Sequence, residues 1–142
     1  DFTLSLRLPW WVSGAATLSV NGEAQAVNAA PGAFVAVSRT WHEDRLRLEL
    51  PKALVAEPLP DERGTVAFLD GPVVLAGLCD EERCLHGDAT RPETLLAPDR
   101  EREWGNWLGG WRATGQERGL RFVPLHEVVD EAYTLYFPVR EG

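Results

Sequence analysis

The first fifty residues alternate. Phe2, Leu4, Leu6 and Leu8 are apolar, with Thr3, Ser5 and Arg7 between them, the period of a strand that lays one face on a core. Pro9 ends the run because it has no backbone donor for a ladder. A second strand is predicted over Thr17 to Val20. Asn21-Gly22 then supplies the positive-φ pair of a tight hairpin turn, and the chain returns through Ala24 to Val27. Pro31-Gly32 makes a further turn. Phe34 to Arg39 runs extended, and Asp44-Arg45 leads into Leu46, Leu48 and Leu50 alternating with Arg47 and Glu49, closed by Pro51.

Beyond this point the pattern changes twice. Thr65 to Leu69 and Val73 to Leu78 flank Asp70-Gly71-Pro72 and are apolar at nearly every position, as expected of central strands covered on both faces. Residues 84–119 turn to Gly, Pro, charge and Trp with no sustained period, which predicts a long irregular excursion with short helical turns at most. Regularity returns at Leu120 to Val123 and at Tyr133 to Val139, where Tyr133, Leu135, Phe137 and Val139 share one face. Short strands at turn-punctuated spacing, without an amphipathic helix, predict a single all-β domain over residues 1–142. Its expected form is an antiparallel two-sheet β-sandwich, jelly-roll-like, carrying one Trp-rich excursion.

Composition narrows the partners. A chain of 142 residues, 44% of them hydrophobic, is long enough to bury roughly 68–70% of its unfolded surface in a core. The net charge is −8, and the thirteen Arg and one Lys, Lys52, are scattered along the chain. Nucleic acid is therefore excluded as a partner, since a phosphate backbone needs clustered cations. The strictly apolar runs hold only a few residues, as in Val73-Val74-Leu75-Ala76, against the ~20 of a membrane-spanning helix. The sequence has no methionine and enters a strand directly after Asp1, so it reads as a domain excised from a larger chain.

The chemistry on offer is sparse. None of the four serines sits in a Gly-x-Ser-x-Gly elbow, and no glycine-rich phosphate loop exists. Cys79, Cys84 and His86 could supply three soft ligands to zinc, but no fourth ligand lies near in sequence. The loop Asp80 to Arg83 equally lets the two cysteines face each other across a hairpin, as thiols or as one disulfide. No cofactor is predicted. Carboxylates cluster at Glu43-Asp44, Asp61-Glu62, Asp80 to Glu82, Asp99 to Glu103 and Asp130-Glu131. A glycosidase needs two of them across a cleft, about 5–10 Å apart, and adjacency in sequence does not supply that.

Tryptophan is the informative residue, with six in the chain. Trp104, Trp107 and Trp111 fall at i, i+3 and i+7, so a helical turn would set them side by side. Such a face would stack on a sugar, anchor a protein interface, or fold back as a lid over the core.

Five blocks, in order, carry a resemblance. They are Phe2-x-Leu-x-Leu-Arg7-Leu8-Pro9-x-Trp11; Val20-Asn21-Gly22; Phe34-x-x-Val37-x-Arg39-x-Trp41-x-x-Asp44-x-Leu46-x-Leu48-x-Leu50-Pro51; Val66-Ala67-Phe68-x-x-Gly71-Pro72-x-Val74-Leu75-Ala76; and Phe122-x-Pro124-Leu125-x-x-Val128-x-Asp130-Glu131-x-Tyr133-x-x-Tyr136-Phe137. Together they resemble the region that follows the catalytic barrel in the β-L-arabinofuranosidase family, glycoside hydrolase family 127. The resemblance implies an accessory β-sandwich whose partner is an (α/α)6 catalytic barrel of the same chain; the alternative reading is a carbohydrate-binding module that stacks plant-type glycans on Trp104, Trp107 and Trp111. It assigns structural roles to Arg7, Pro9, Trp11, Arg39, Trp41, Asp44, Gly71 and Pro72. It also implies strands ahead of Asp1 in the same sandwich. The family's cysteine nucleophile and zinc ligands lie in the barrel, so neither role passes to Cys79 or Cys84. One departure stands out: the family's Gly-Asp after the Arg-x-Trp block is Glu43-Asp44 here.

Overall fold

The computed structural model describes residues 1–103 and 106–141, with side chains outside residues 100–108. The chain divides into two compact units, Asp1–Ala53 and Leu54–Gly142.

Alternation builds the first unit. Strand β1 (Phe2–Arg7) pairs antiparallel with β4 (Phe34–Arg39), from Phe2 opposite Arg39 to Arg7 opposite Phe34. In a second sheet, β2 (Thr17–Val20) lies between β3 (Glu23–Gln25) and β5 (Leu46–Glu49). Alternate residues of β1, β2, β4 and β5 point inward. Leu8, Leu18 and Val35 are buried there, with Leu6, Val37, Leu46 and Leu48 packed around them. Since both sheets contribute, the unit is a small two-sheet sandwich. Asn21 (φ 53°) and Gly22 (φ 85°) make the tight β2–β3 turn that their sequence predicts.

The second unit is built on the apolar hairpin of β7 (Thr65–Asp70) and β8 (Val73–Leu78). Asp70 pairs with Val73 across Gly71-Pro72. Gly71 takes the positive φ, 60°, that the first central position of a II′ turn requires. The sheet runs β10 (Leu96–Glu103), β11 (Asn106–Ala113), β12 (Arg121–Pro124), β8, β7, β14 (Tyr136–Arg140) and β9 (Leu85–His86). Strand β6 (Leu54–Pro58) pairs with β7, and β13 (Tyr133–Thr134) with β8. Both strands of the hairpin are central, as their uninterrupted apolar runs predict. Their side chains close on a trio of rings, Phe68, Phe122 and Phe137, each fully buried, with centroids 5.1 to 6.3 Å apart. Gly77 of β8 lies against this trio: a Cβ there would stand 2.3 Å from Phe137 Cζ and 3.1 Å from Phe122 Cε1.

The all-β fold agrees with expectation, and three details correct it. Residues 84–119 are not irregular, because they contain β9 and the eight-residue antiparallel strands β10 and β11, paired from Leu96 opposite Ala113 to Glu103 opposite Asn106. The pairing is invisible as a period because charged residues, Pro98 and Gly109-Gly110 interrupt any apolar face. Strand β6 was not expected. It is an edge strand with Glu57 and Pro58 at its end, where a missing donor is tolerated. Finally, Tyr133 to Val139 is not one continuous strand. The chain bends at Leu135, leaving β8 for β7, so Tyr133 is exposed while Phe137 is buried.

Candidate functional site

The residues singled out in the first unit converge on one carboxylate. Asp44 precedes β5, and its side chain is 6% exposed. One oxygen, Oδ1, accepts from Asn21 Nδ2 at 2.6 Å and lies 3.2 Å from Arg39 Nη2. The other, Oδ2, accepts from the His42 backbone N–H at 3.0 Å. Asn21 closes the network: its Oδ1 accepts from Arg45 N at 2.8 Å, and its own N–H donates to Arg45 O at 2.8 Å. The β2–β3 turn is thereby tied to the loop before β5. The His42 backbone donor, with the Asn21 amide and the Arg39 charge, holds the Asp44 carboxyl below its ordinary 3.8.

Arg39 does a second thing there. Its guanidinium lies 5.5 Å from the Trp41 ring centroid. The Trp41 indole N–H donates to Phe2 O at 2.9 Å, and the two rings are 5.6 Å apart. Thr40 Oγ1 donates to the Asp1 carboxylate. Arg39, Trp41 and Asp44 therefore form one cluster fastening the end of β4 to the start of β1. At the other end of that pair, Arg7 lies over the Phe34 ring at 5.9 Å. Pro9 accepts the Val12 N–H at 3.2 Å and so turns the chain through Trp11.

Glu43 holds the departure noted in the sequence. Its φ is +40°, in the left-handed region that costs an L-residue with a Cβ and costs glycine nothing. Glutamate stands there because the Asp44 bonds on the next residue fix the loop around it.

The described residues of the second unit gather no comparable chemistry. Cys79 and Cys84 are free thiols, and each Sγ approaches a backbone carbonyl, Gly77 O at 3.7 Å and Leu85 O at 3.6 Å. Burial pushes the Cys79 thiol up. Among the described residues no three His, Cys, Asp or Glu side chains gather to hold a metal ion. The strand segment at His86 is instead locked by an unanticipated residue, Gln116. Its Oε1 accepts from His86 N and its Nε2 donates to His86 O, both at 2.9 Å, as a neighbouring strand would do. Nearby, Glu81 pairs with Arg118 at 2.8 Å and with Arg83 at 3.6 Å.

Of the three spaced tryptophans, Trp104 and the Trp107 side chain lie outside the described residues. The backbone of Trp107 and Trp111 is strand, Trp107 opposite Arg102 and Trp111 opposite Phe122, so a helical turn does not set them side by side. Trp111 packs, half-buried, against the Phe68–Phe122–Phe137 core.

Among the described residues the shifted carboxylates all move downward. Asp88 is lowered by the Thr90 hydroxyl and backbone N–H, and Glu131 by the backbone N–H groups of residues 129–131. A glycosidase acid needs the opposite shift.

Comparison with known proteins gives a partial family match. Residues 1–52 match the family model described as the middle domain of β-L-arabinofuranosidase, GH127, in line with the resemblance carried by the sequence blocks. No curated protein matches the chain. The fold is similar to that of a solved glycoside hydrolase, with a TM-score of 0.67 and 21% identity over 97% of this chain and 28% of that one. It is also similar to a GH127 β-L-arabinofuranosidase from Geobacillus stearothermophilus T6, with a TM-score of 0.63 and 21% identity over 99% of this chain and 26% of that one. A second GH127 β-arabinofuranosidase gives 0.63 and 17% over 99% and 28%. The chain thus spans little more than a quarter of the length of these structures.

Proposed function

We propose that residues 1–142 form a non-catalytic accessory β-sandwich region of a glycoside hydrolase resembling the β-L-arabinofuranosidases, packing against the catalytic (α/α)6 barrel of the same polypeptide and stabilising it. The observation that carries this reading is the match of residues 1–52 to the GH127 middle domain, on a fold shared with much longer glycoside hydrolases. The chemistry supports it. Catalysis of glycoside hydrolysis calls for an acid with a raised pKa facing a second carboxylate, or for an activated nucleophile. Among the described residues the shifted carboxylates are lowered, and the Cys79 thiol is raised away from its reactive thiolate. The motif residues Arg39, Trp41 and Asp44 spend their polar groups on each other and on backbone, which is what a structural role requires. Incubating the isolated chain with p-nitrophenyl glycosides, the β-L-arabinofuranoside included, tests the reading. No release of nitrophenol is expected, and turnover that survives repurification would overturn it.

A further inference from the structure

The first unit contains a long stretch almost without charge. Between Leu8 and Ser38 the only charged residue is Glu23, whereas a quarter of the whole chain is charged and about eight would be expected over such a stretch. The loops of that stretch lie together. Leu8 N donates to Ala33 O at 2.9 Å and Gly32 N to Leu8 O at 2.7 Å, joining the loop after β1 to the loop before β4. Between them opens a cavity of about 110 Å³ whose walls include Leu8, Val12, Ala15, Ala16, Val27 and Ala29. The side chains on its walls are aliphatic, with backbone polar groups between them, and its size suits one inserted aliphatic side chain. Beside it, in the turn from Pro9 to Val12, stands Trp10 with 66% of its surface exposed. A solvent-facing surface rarely combines these features. Depletion of charge, an exposed Trp and a small apolar socket are the composition of an interface centre.

We propose that this uncharged patch, centred on Trp10 and the socket between residues 9–16 and 26–33, is where the first unit docks on an apolar surface of the catalytic domain in the same polypeptide. The inference rests on the accessory reading above and adds the surface that performs it. Two observations select the occupant. The solved structures that share this fold carry nearly three quarters of their length outside the matched part, so a large same-chain partner is at hand. Residues 9–16 and 26–33 themselves carry no charged side chain, so they offer nothing with which to recognise a charged ligand or a lipid headgroup.

Hydrogen exchange distinguishes the outcomes. In the complete polypeptide, amides of residues 9–16 and 26–33 should exchange at least tenfold more slowly than in the 142-residue chain. Trp10→Ala and, separately, Ala15→Arg should each abolish most of that slowing while β2 and β5 exchange as before, since both side chains are exposed and the fold does not depend on them. Slowing that survives both substitutions overturns the proposal. So does slowing in the 142-residue chain alone that grows with its concentration, which would assign the patch to a second copy. Protection confined to another face of residues 1–142 overturns this surface and leaves the accessory reading standing; protection nowhere overturns both.

Discussion

The Asn21 side-chain amide donates to Asp44 Oδ1 at 2.6 Å across 23 positions of sequence. This bond turns two separate local signals, an Asn-Gly turn and an Asp before a strand, into one joint between the β2–β3 hairpin and the loop leading to β5. Asn21 also makes two hydrogen bonds with Arg45, its Oδ1 accepting from Arg45 N and its own N–H donating to Arg45 O. Asn21→Ala should therefore lower the stability of the first unit by about 1–2 kcal/mol, through the two lost side-chain hydrogen bonds and alanine's poorer tolerance than asparagine's of φ 53°. Asn21→Asp should cost as much or more, because it sets a second carboxylate against Asp44. Denaturant unfolding followed by Trp41 fluorescence reads both.

Acid should loosen the same joint. The folded pKa of Asp44 lies below its ordinary 3.8, so its ionised form contributes stability that is fully present above about pH 4 and is lost as the pH falls through the lowered folded value. Asp88 and Glu131 are shifted the same way in the second unit. Melting temperatures taken from pH 6 down to pH 2 should fall steeply below pH 4. Asp44→Asn should start lower at neutral pH and show a shallower fall; an unchanged slope would contradict the assignment.

Glu43→Gly should be stabilising. At φ +40° the glutamate is strained by about 1–2 kcal/mol, while glycine adds unfolded-state entropy worth about 0.4–1 kcal/mol. The net expectation is a gain of about 0.5–1 kcal/mol, measurable as a rise in denaturation midpoint without a change in slope. Glu43→Ala, which keeps the Cβ, should give none of it.

Gly77→Ala probes the core of the second unit. The added methyl would meet Phe137 Cζ at 2.3 Å, and the rings of Phe68 and Phe122 block retreat. A loss of about 1–3 kcal/mol is expected from overpacking. Gly77→Ala combined with Phe137→Leu should lose less than the two single changes add up to, because the smaller side chain vacates the clash. Strict additivity would show that the two positions do not meet.

Where one period runs unbroken, sequence and structure agree closely. Strands β2, β4 and β8 begin and end where the pattern does, since each buries alternate or continuous apolar residues and adjoins a glycine-containing turn at one end. The β10–β11 hairpin escaped notice because its order comes from backbone pairing and the Asp99–Arg112 ion pair at 3.0 Å, neither of which leaves a hydrophobic period. Leu135 shows the opposite error: perfect alternation from Tyr133 to Val139 conceals a bend that transfers the chain from one strand partner to another. In the cluster around Asp44, the sequence shows Asn21 only as a turn residue and not as a partner of Asp44, because a hydrogen bond spanning 23 residues has no local signature. Glu43 was visible only as a mismatch with a family pattern, and its positive φ supplies the physical reason glycine belongs there.

The central claim is that residues 1–142 support a catalytic domain rather than react. Thermal inactivation of the complete polypeptide, with and without residues 1–142, tests it most directly. Deletion should lower the half-inactivation temperature by several degrees and leave the initial rate of glycoside hydrolysis per active site at low temperature within about twofold, the fold-change equivalent of about 0.4 kcal/mol in barrier. A deletion that abolishes turnover in a catalytic domain still folded by circular dichroism, or one that leaves the inactivation temperature unchanged, would contradict the account.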